Sequence, residues 1–314
     1  MQGRSELEEA CRFLANGDVV ALPTETVYGL AADVTLDAAV AKIYAVKERP
    51  TFNPLILHAA SCEKALSWGL FSPEAEHLAR TFWHPGETGH RPLTLVVPLP
   101  KDSPVSKLMT AGLPTIAIRV PSHPLTSELL KMYPHPLAAP SANPSTKISA
   151  TTAHIVRETL GSKIPYIIDG GSCAVGVEST ILDTTSAPCT ILRYGGTTVE
   201  ELASILGYAP QPAQHGPIRA PGMMKKHYAP SLPVRLNQVQ PTPGAAFLGF
   251  GDISFGPYNL SPEGDLVEAA ANLFRMLYEL DDPSRFQAID VAPIRPEGMG
   301  LAILDRLSRA ASTS

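Results

Sequence analysis

The sequence holds only four cysteines in 314 residues, Cys11, Cys62, Cys173 and Cys189, and no two form a Cys-x-x-Cys pair. That scatter argues against structural zinc and a disulfide framework, and reads as reduced, mostly buried thiols. Aromatic residues are scarce at 6%, and no basic run is interleaved with them. A stacking platform for single-stranded nucleic acid is therefore disfavoured. Positive charge is not in excess either: the formal net charge is −5. Only a local basic groove could attract nucleic acid, not the molecule as a whole. No apolar run approaches the ~20 residues of a membrane span. The first residues, MQGRSELEEACRFL, lack the basic start and apolar centre of a signal peptide, so a cytoplasmic protein without membrane contact is expected. Gly249-Phe250-Gly251 lacks the third glycine and downstream acid of a dinucleotide fingerprint. There is no evident Ser-His-Asp or Cys-His set, no internal repeat and no low-complexity tract.

What is present is the composition of a globular protein, 44% hydrophobic and 18% charged, long enough for one large domain or two ordinary ones. Its most informative stretch is 21–58. An apolar strand at 19–22 breaks at Pro23 into hydroxylated residues, Thr24 and Thr26, around Glu25. A helix over 36–46, with Thr35 as its cap and Leu36, Ala39, Val40 and Ile43 on its apolar face, then delivers Lys47 and Arg49 and stops at Pro50. Asn53 and His58 flank a second strand at 54–57. Hydroxyls and two cations beside a strand edge could hold a polyanion.

The rest alternates strands with short helices. Leu7, Ala10, Cys11 and Leu14 give one helix face, stopped near Gly17. Ser61 and Ser72 cap two more helices, the second with Pro73 at its first position. Strands are expected at 93–97, 115–120, 137–139, 166–169, 178–183 and 190–193. Arg119, inside an apolar strand, needs an anionic partner or an open cleft. Thr151 or Thr152 caps a helix ending at Gly161, and Thr198 with Glu201 forms a capping box. The pattern is an α/β or α+β domain over residues 1–207. Residues 208–233 are proline-rich and read as a linker. Residues 234–314 read strand–helix–strand–helix, a small Rossmann-like α/β unit.

Three blocks in order, Pro23-Thr-Glu-Thr-Val-Tyr-Gly-Leu30, Lys47-x-Arg49-Pro50 and Asn53-Pro-Leu-Ile-x-His58, closely resemble the YrdC-like family. The linker run Ala220-Pro-Gly-Met-Met-Lys225-Lys226-His227-Tyr228-Ala229-Pro230 resembles that family's linker motif, and 297–307 resembles the end of its second domain. The resemblance implies a twisted, open, mostly β sheet with flanking helices and a concave face, crossed by the linker. In its two-domain form the family is the threonylcarbamoyl-AMP synthase of tRNA modification.

The implied chemistry joins L-threonine, bicarbonate and ATP. The threonine nitrogen becomes a carbamate, a carbamate oxygen attacks the α-phosphorus, and pyrophosphate leaves. The substrate supplies the nucleophile, so positioning and charge neutralisation carry the rate. Matched motif by motif, Lys47 and Arg49 would be catalytic, meeting the triphosphate and carbamate charges. Arg49, Asn53, Thr115, Ser141, Asn143, Ser149, Arg193 and Tyr228 would bind ATP. Thr26, His58, Arg119, Ala139 and Ser179 would bind L-threonine. Mg²⁺ would arrive on the phosphates; Glu25 and Glu178 are the nearest carboxylates, each equally able to bond its own loop. The product would pass to a separate tRNA threonylcarbamoyl transferase, with room for weak tRNA contact.

Taken singly, His58 reads as a structural histidine and Ser141-Ala-Asn143 as an ordinary turn; only together do they point to a site. The chain departs from the family at a polar insert within His84–Arg91, at Thr146 where glycine is usual, and at Tyr194 where proline is usual. Two rival readings stand beside the synthase: a carbamoyl-adenylate-forming enzyme using carbamoyl phosphate, and an RNA-binding module on the concave face.

Overall fold

A computed structural model describes residues 2–84, 90–213, 219–224 and 227–312. The first domain is built on a ten-stranded sheet. From edge to edge its strands are Gln211–Pro212, Thr190–Arg193, Thr180–Asp183, Leu93–Pro98, Thr115–Arg119, Ile56–His58, Leu137–Ala138, Gly29–Asp33, Val20–Leu22 and Tyr166–Ile167. Parallel and antiparallel pairs are mixed, and helices flank the sheet, as the sequence predicts for an α/β class.

Strand alternation sends the two faces to different neighbours. Leu55, Leu57, Leu95, Val97, Ile116 and Ile118 join the large core beneath the helices. Ile56, Val96, Ala117 and Ile181 face the other way, where Ala220 and Met223 of the proline-rich segment cover them. The first set makes the domain stable; the second makes the floor of a concavity.

Most helix ends follow the side-chain signals. Ser61, Ser72 and Thr152 each accept a backbone N–H at their helix start, and Thr198 and Glu201 form a reciprocal capping box. Thr35 does not cap. The helix Asp37–Lys47 starts after Leu36 with no side-chain cap, and the Thr35 hydroxyl bonds Asp33 Oδ1 at 2.6 Å instead. Leu36 is correspondingly exposed rather than on the buried face. At the other end Glu48 is left-handed, φ 54°, and the chain turns there so that Arg49 reaches the concavity. Gly29–Asp33 is a strand the pattern did not suggest. All five of its residues are buried, so it shows no alternation. Thr146, where the family has glycine, keeps the left-handed φ of 68°, a conformation costly for a β-branched residue.

The segment between the domains is more than a tether. Gln211–Pro212 pairs with Thr190–Arg193 at the sheet edge, and Ala229 N donates to Thr146 O at 2.8 Å. Lys225 and Lys226, and residues 85–89 of the polar insert, lie outside the described residues. The second domain has three parallel strands, in the order Val234–Arg235, Ala288–Val291, Ala245–Leu248. Two helices, Leu266–Leu280 and Met299–Ala311, complete it. Its core does not close on itself. Phe274 and Ile303 share a cluster with Val27, Ile148 and Val177 of the first domain and Tyr228 of the linker.

Candidate active site

One rung of the sheet sets the first half of the site. His58 and Thr94 are the registered partners of Arg119 on its two neighbouring strands, so all three side chains rise from the same face. Arg119 Nη2 donates to Glu25 Oε1 at 2.5 Å and to Thr26 Oγ1 at 2.8 Å. Glu25 also accepts from Ser122 N at 3.1 Å. Burial raises the Glu25 carboxyl, but Arg119 wins and holds it below its ordinary value. Arg119 therefore has the anionic partner its strand position demanded, while its Nε is buried without one. An unpartnered guanidinium N–H in a cleft suits an incoming carboxylate.

His58 is buried with Nδ1 3.1 Å from Ile56 O. A carbonyl only accepts, so Nδ1 carries the proton of the neutral ring and Nε2 is left as an acceptor. Burial, then the Arg119 charge, pushes its pKa down to about 3. His227 is likewise pushed to about 3, chiefly by burial. Both must take up a proton more readily unfolded, near 6.5, than folded. Their stabilising contribution is full above pH 6.5 and is lost as pH falls from there toward 3. Thermal melts should accordingly fall steeply across that window, and His227→Gln should flatten the slope; an unchanged slope would show that His227 is not neutral in the fold.

The second half is cationic. Lys47 is fully buried, and its Nζ donates to Ser141 O at 2.6 Å and Asn143 O at 2.5 Å. Burial and then Arg49 hold its ammonium well below the ordinary lysine value. Arg49 Nε and Nη2 bond the carbonyls of Asn53 and Pro54 at 3.1 and 2.9 Å. Arg193 gives Nε and Nη2 to Ser179 O and Oγ. Tyr228 has φ 62° and a buried hydroxyl without a partner. It is wedged between His227, 4.0 Å between ring centroids, and Phe274 of the second domain, 5.4 Å.

Thr26, His58, Arg119 and Ala139 share the lining of one hollow with Arg49, Ser141, Arg193 and Tyr228. Thr24, Pro140, Glu178, Gly222 and His227 join them. The remaining predicted residues stand elsewhere. Lys47 and Asn143 brace the 141–147 loop from behind, the Asn143 amide bonding Pro144 O and Lys147 O. Ser149 Oγ is committed to Glu178 at 2.6 Å, and Ser179 Oγ to Thr94 at 2.7 Å. Asn53 is fully buried under Met224 of the linker, 3.4 Å from its sulfur. Thr115 sits farther along the Arg119 face, outside the hollow. The space itself is only about 40 Å³, enough for a few waters rather than the hundreds of Å³ a nucleotide fills. The linker occupies the remainder: Gly222, φ 85°, approaches so close that a β-carbon there would lie 2.7 Å from Arg193 Cδ.

One contributor was missed. Arg306 of the Met299–Ala311 helix is fully buried and donates Nε to Glu178 Oε2 at 2.8 Å. Its signal was available: Met299, Ala302, Ile303, Arg306, Leu307 and Ala310 follow a buried helical stripe in which one residue is charged. The donor set does not fit a protein-held metal. Glu25 and Glu178 are both spent on guanidinium groups, and no cluster of three His, Cys, Asp or Glu occurs among the described residues. Nor is any helix there long and apolar enough to cross a membrane.

Two family profiles divide the chain. One described as telomere recombination (Sua5, YciO, YrdC) matches residues 12–195, and one described as the threonylcarbamoyl-AMP synthase C-terminal domain matches residues 197–312. A threonylcarbamoyl-AMP synthase of Pyrococcus abyssi is 40% identical over 334 residues, spanning 98% of this chain and 96% of the relative. One of Schizosaccharomyces pombe is 36% identical over 98% of this chain and 89% of its own. The crystal structure of P. abyssi Sua5 complexed with L-threonine superposes with a TM-score of 0.87, at 36% identity over 97% of this chain and 94% of that one.

Proposed function

The chain belongs to the two-domain threonylcarbamoyl-AMP synthase family, and from that membership we propose that it makes L-threonylcarbamoyladenylate and pyrophosphate from L-threonine, bicarbonate and ATP. The observation that carries this reading is convergence. Arg49, Arg119, Ser141 and Arg193 come from four separate segments and meet around one hollow.

Arg119 takes the threonine carboxylate through the N–H groups that Glu25 and Thr26 do not use. The acceptor Nε2 of His58 and the Thr26 hydroxyl meet the amine and hydroxyl. Bicarbonate first loses hydroxide to give carbon dioxide; the amine, once neutral, adds to that carbon and gives its proton to the hydroxide, so that the carbamate forms and water leaves. The carbamate oxygen then attacks the α-phosphorus, and the α–β bridging oxygen departs with pyrophosphate. Arg49 and Arg193 offset the charge that accumulates during this displacement, and Lys47 fixes the Ser141–Asn143 carbonyls that shape the wall. ATP is used as its magnesium complex, the ion being held by phosphate oxygens and water. The linker withdraws to admit the nucleotide, uncovering Asn53 from beneath Met224, and Tyr228 then closes on it. The adenylate is handed to a tRNA threonylcarbamoyl transferase, in the cytoplasm where tRNA and ATP are found.

Purified protein given L-threonine, bicarbonate and Mg-ATP should release pyrophosphate and form a product of the mass of threonylcarbamoyl-AMP. Omitting threonine should abolish both. Turnover with carbamoyl phosphate in place of threonine and bicarbonate would instead establish the carbamoyl-adenylate reading. Tight RNA binding with a steep salt dependence and no pyrophosphate release would establish the RNA module.

A further inference from the structure

Glu178 stands on the wall of the hollow with both oxygens engaged, Oε1 by Ser149 and Oε2 by Arg306. Arg306 does not line the hollow. It reaches Glu178 from the second domain, with Nη1 donating to Tyr194 O at 2.7 Å and Asp305 Oδ2 at 2.8 Å. Its guanidinium carbon lies 5.1 Å from the centroid of the Tyr228 ring. Taking such a group out of water is costly, and the second domain's own packing does not call for it. The flanking positions of the same helix face, Ala302, Ile303, Leu307 and Ala310, are apolar.

Several charged or titratable groups face Glu178. Arg306 and Arg193 act on it most strongly, and Lys47, His227 and Tyr228 also feel it. Burial pushes the carboxyl up, and Arg306 followed by Arg193 brings it down to about 2. Arg193 also turns toward Gly222 in the linker, which is the space a nucleotide would claim. If Arg306 were absent, the nearest strong cation left for Glu178 would be Arg193.

We propose that Arg306 is a positioning residue for ATP: it occupies the Glu178 carboxylate, keeps it off Arg193, and so leaves that guanidinium available to phosphate. The inference deepens the ATP-site reading and rests on it. It also gives the second domain a direct part in substrate binding.

Titration calorimetry of ATP on the full chain tests this without turnover. Arg306→Met is expected to weaken ATP binding at least about tenfold, the scale of one charge-assisted contact. Adding Glu178→Gln in that background should regain most of the loss, since the competitor for Arg193 has been neutralised. Ile289→Ala, a cavity in the central strand of the second domain's sheet, should lower the melting temperature yet bind ATP like the parent. Should Arg306→Met fail to fold, Arg306→Lys with and without Glu178→Gln answers the same question, with a smaller loss and the same recovery. An Arg306 variant that binds ATP normally, a loss matched by Ile289→Ala, or a double variant no better than the single one would each overturn the proposal. Absence of pyrophosphate release by a parent protein that binds ATP would count against the synthase reading alone.

Discussion

Arg119→Ala is expected to remove threonine-dependent pyrophosphate release while leaving ATP affinity within a few fold of the parent. Two losses combine. The amino acid's carboxylate would lose the guanidinium proposed to hold it, and the part-buried Glu25 carboxylate would be left with backbone N–H groups alone. Breaking one side of a buried ion pair typically costs about 3–5 kcal/mol, so kcat/KM for threonine should fall by roughly 10²–10⁴-fold. Arg119→Lys should recover part of it, because a lysine restores charge but not the forked geometry. Steady-state kinetics with each substrate varied in turn, beside calorimetric ATP binding, separates the outcomes. Equal losses for threonine and ATP would contradict the division of the site into two halves.

The second large effect is expected from Lys47→Met. The side chain is of similar length, yet it removes the ammonium from two carbonyls: Ser141 O keeps the Asn143 N–H, whereas the buried Asn143 O is left without its donor. An orphaned buried carbonyl costs about 1–3 kcal/mol, so the 141–147 loop should loosen and the melting temperature should drop. The same change removes positive charge behind the phosphate site, and kcat should fall about 10²-fold or more. Lys47 adds a proton-linked signature. Its ammonium is held below the ordinary lysine value by burial and by Arg49, and an arriving triphosphate acts in the opposite direction. ATP binding should therefore take up protons as pH rises toward the free protein's depressed pKa, measurable by calorimetry in buffers of different ionisation heat. Lys47→Met should lose that uptake; persistence would assign it to another group.

The sequence carried much of this because its motifs are local. The Pro23–Leu30, Lys47–Arg49 and Asn53–His58 blocks lie within a few dozen residues, and their caps and strand signals are short-range. Arg119 was legible for a different reason: a charge in an apolar strand requires a partner somewhere, and Glu25 proved to be that partner. What the sequence could not show depends on contacts far apart in the chain. Ser149 looked free for ligand until Glu178 was seen to hold it. Lys47 looked like a direct phosphate contact until its ammonium was seen on two carbonyls. Gly29–Asp33 gives no alternation because both of its faces are covered. Arg306 was passed over because its helix resembles a family segment, although one charged residue on a buried stripe is the same kind of anomaly that singled out Arg119.

The linker's close fit over the hollow bears on the fate of what is made there. The mixed anhydride between carbamate and phosphate is an activated acyl group with AMP as its leaving group, and bulk solvent would hydrolyse it. Once the linker has made room for the nucleotide and Tyr228 has folded back over it, little solvent would reach the chamber, and decay inside it would be slow. The same strap has to lift for the adenylate to leave, so each departure exposes the cargo once. How much survives the journey to its acceptor would then be fixed by the interval between unlatching and capture, not by how long the compound waits within the protein.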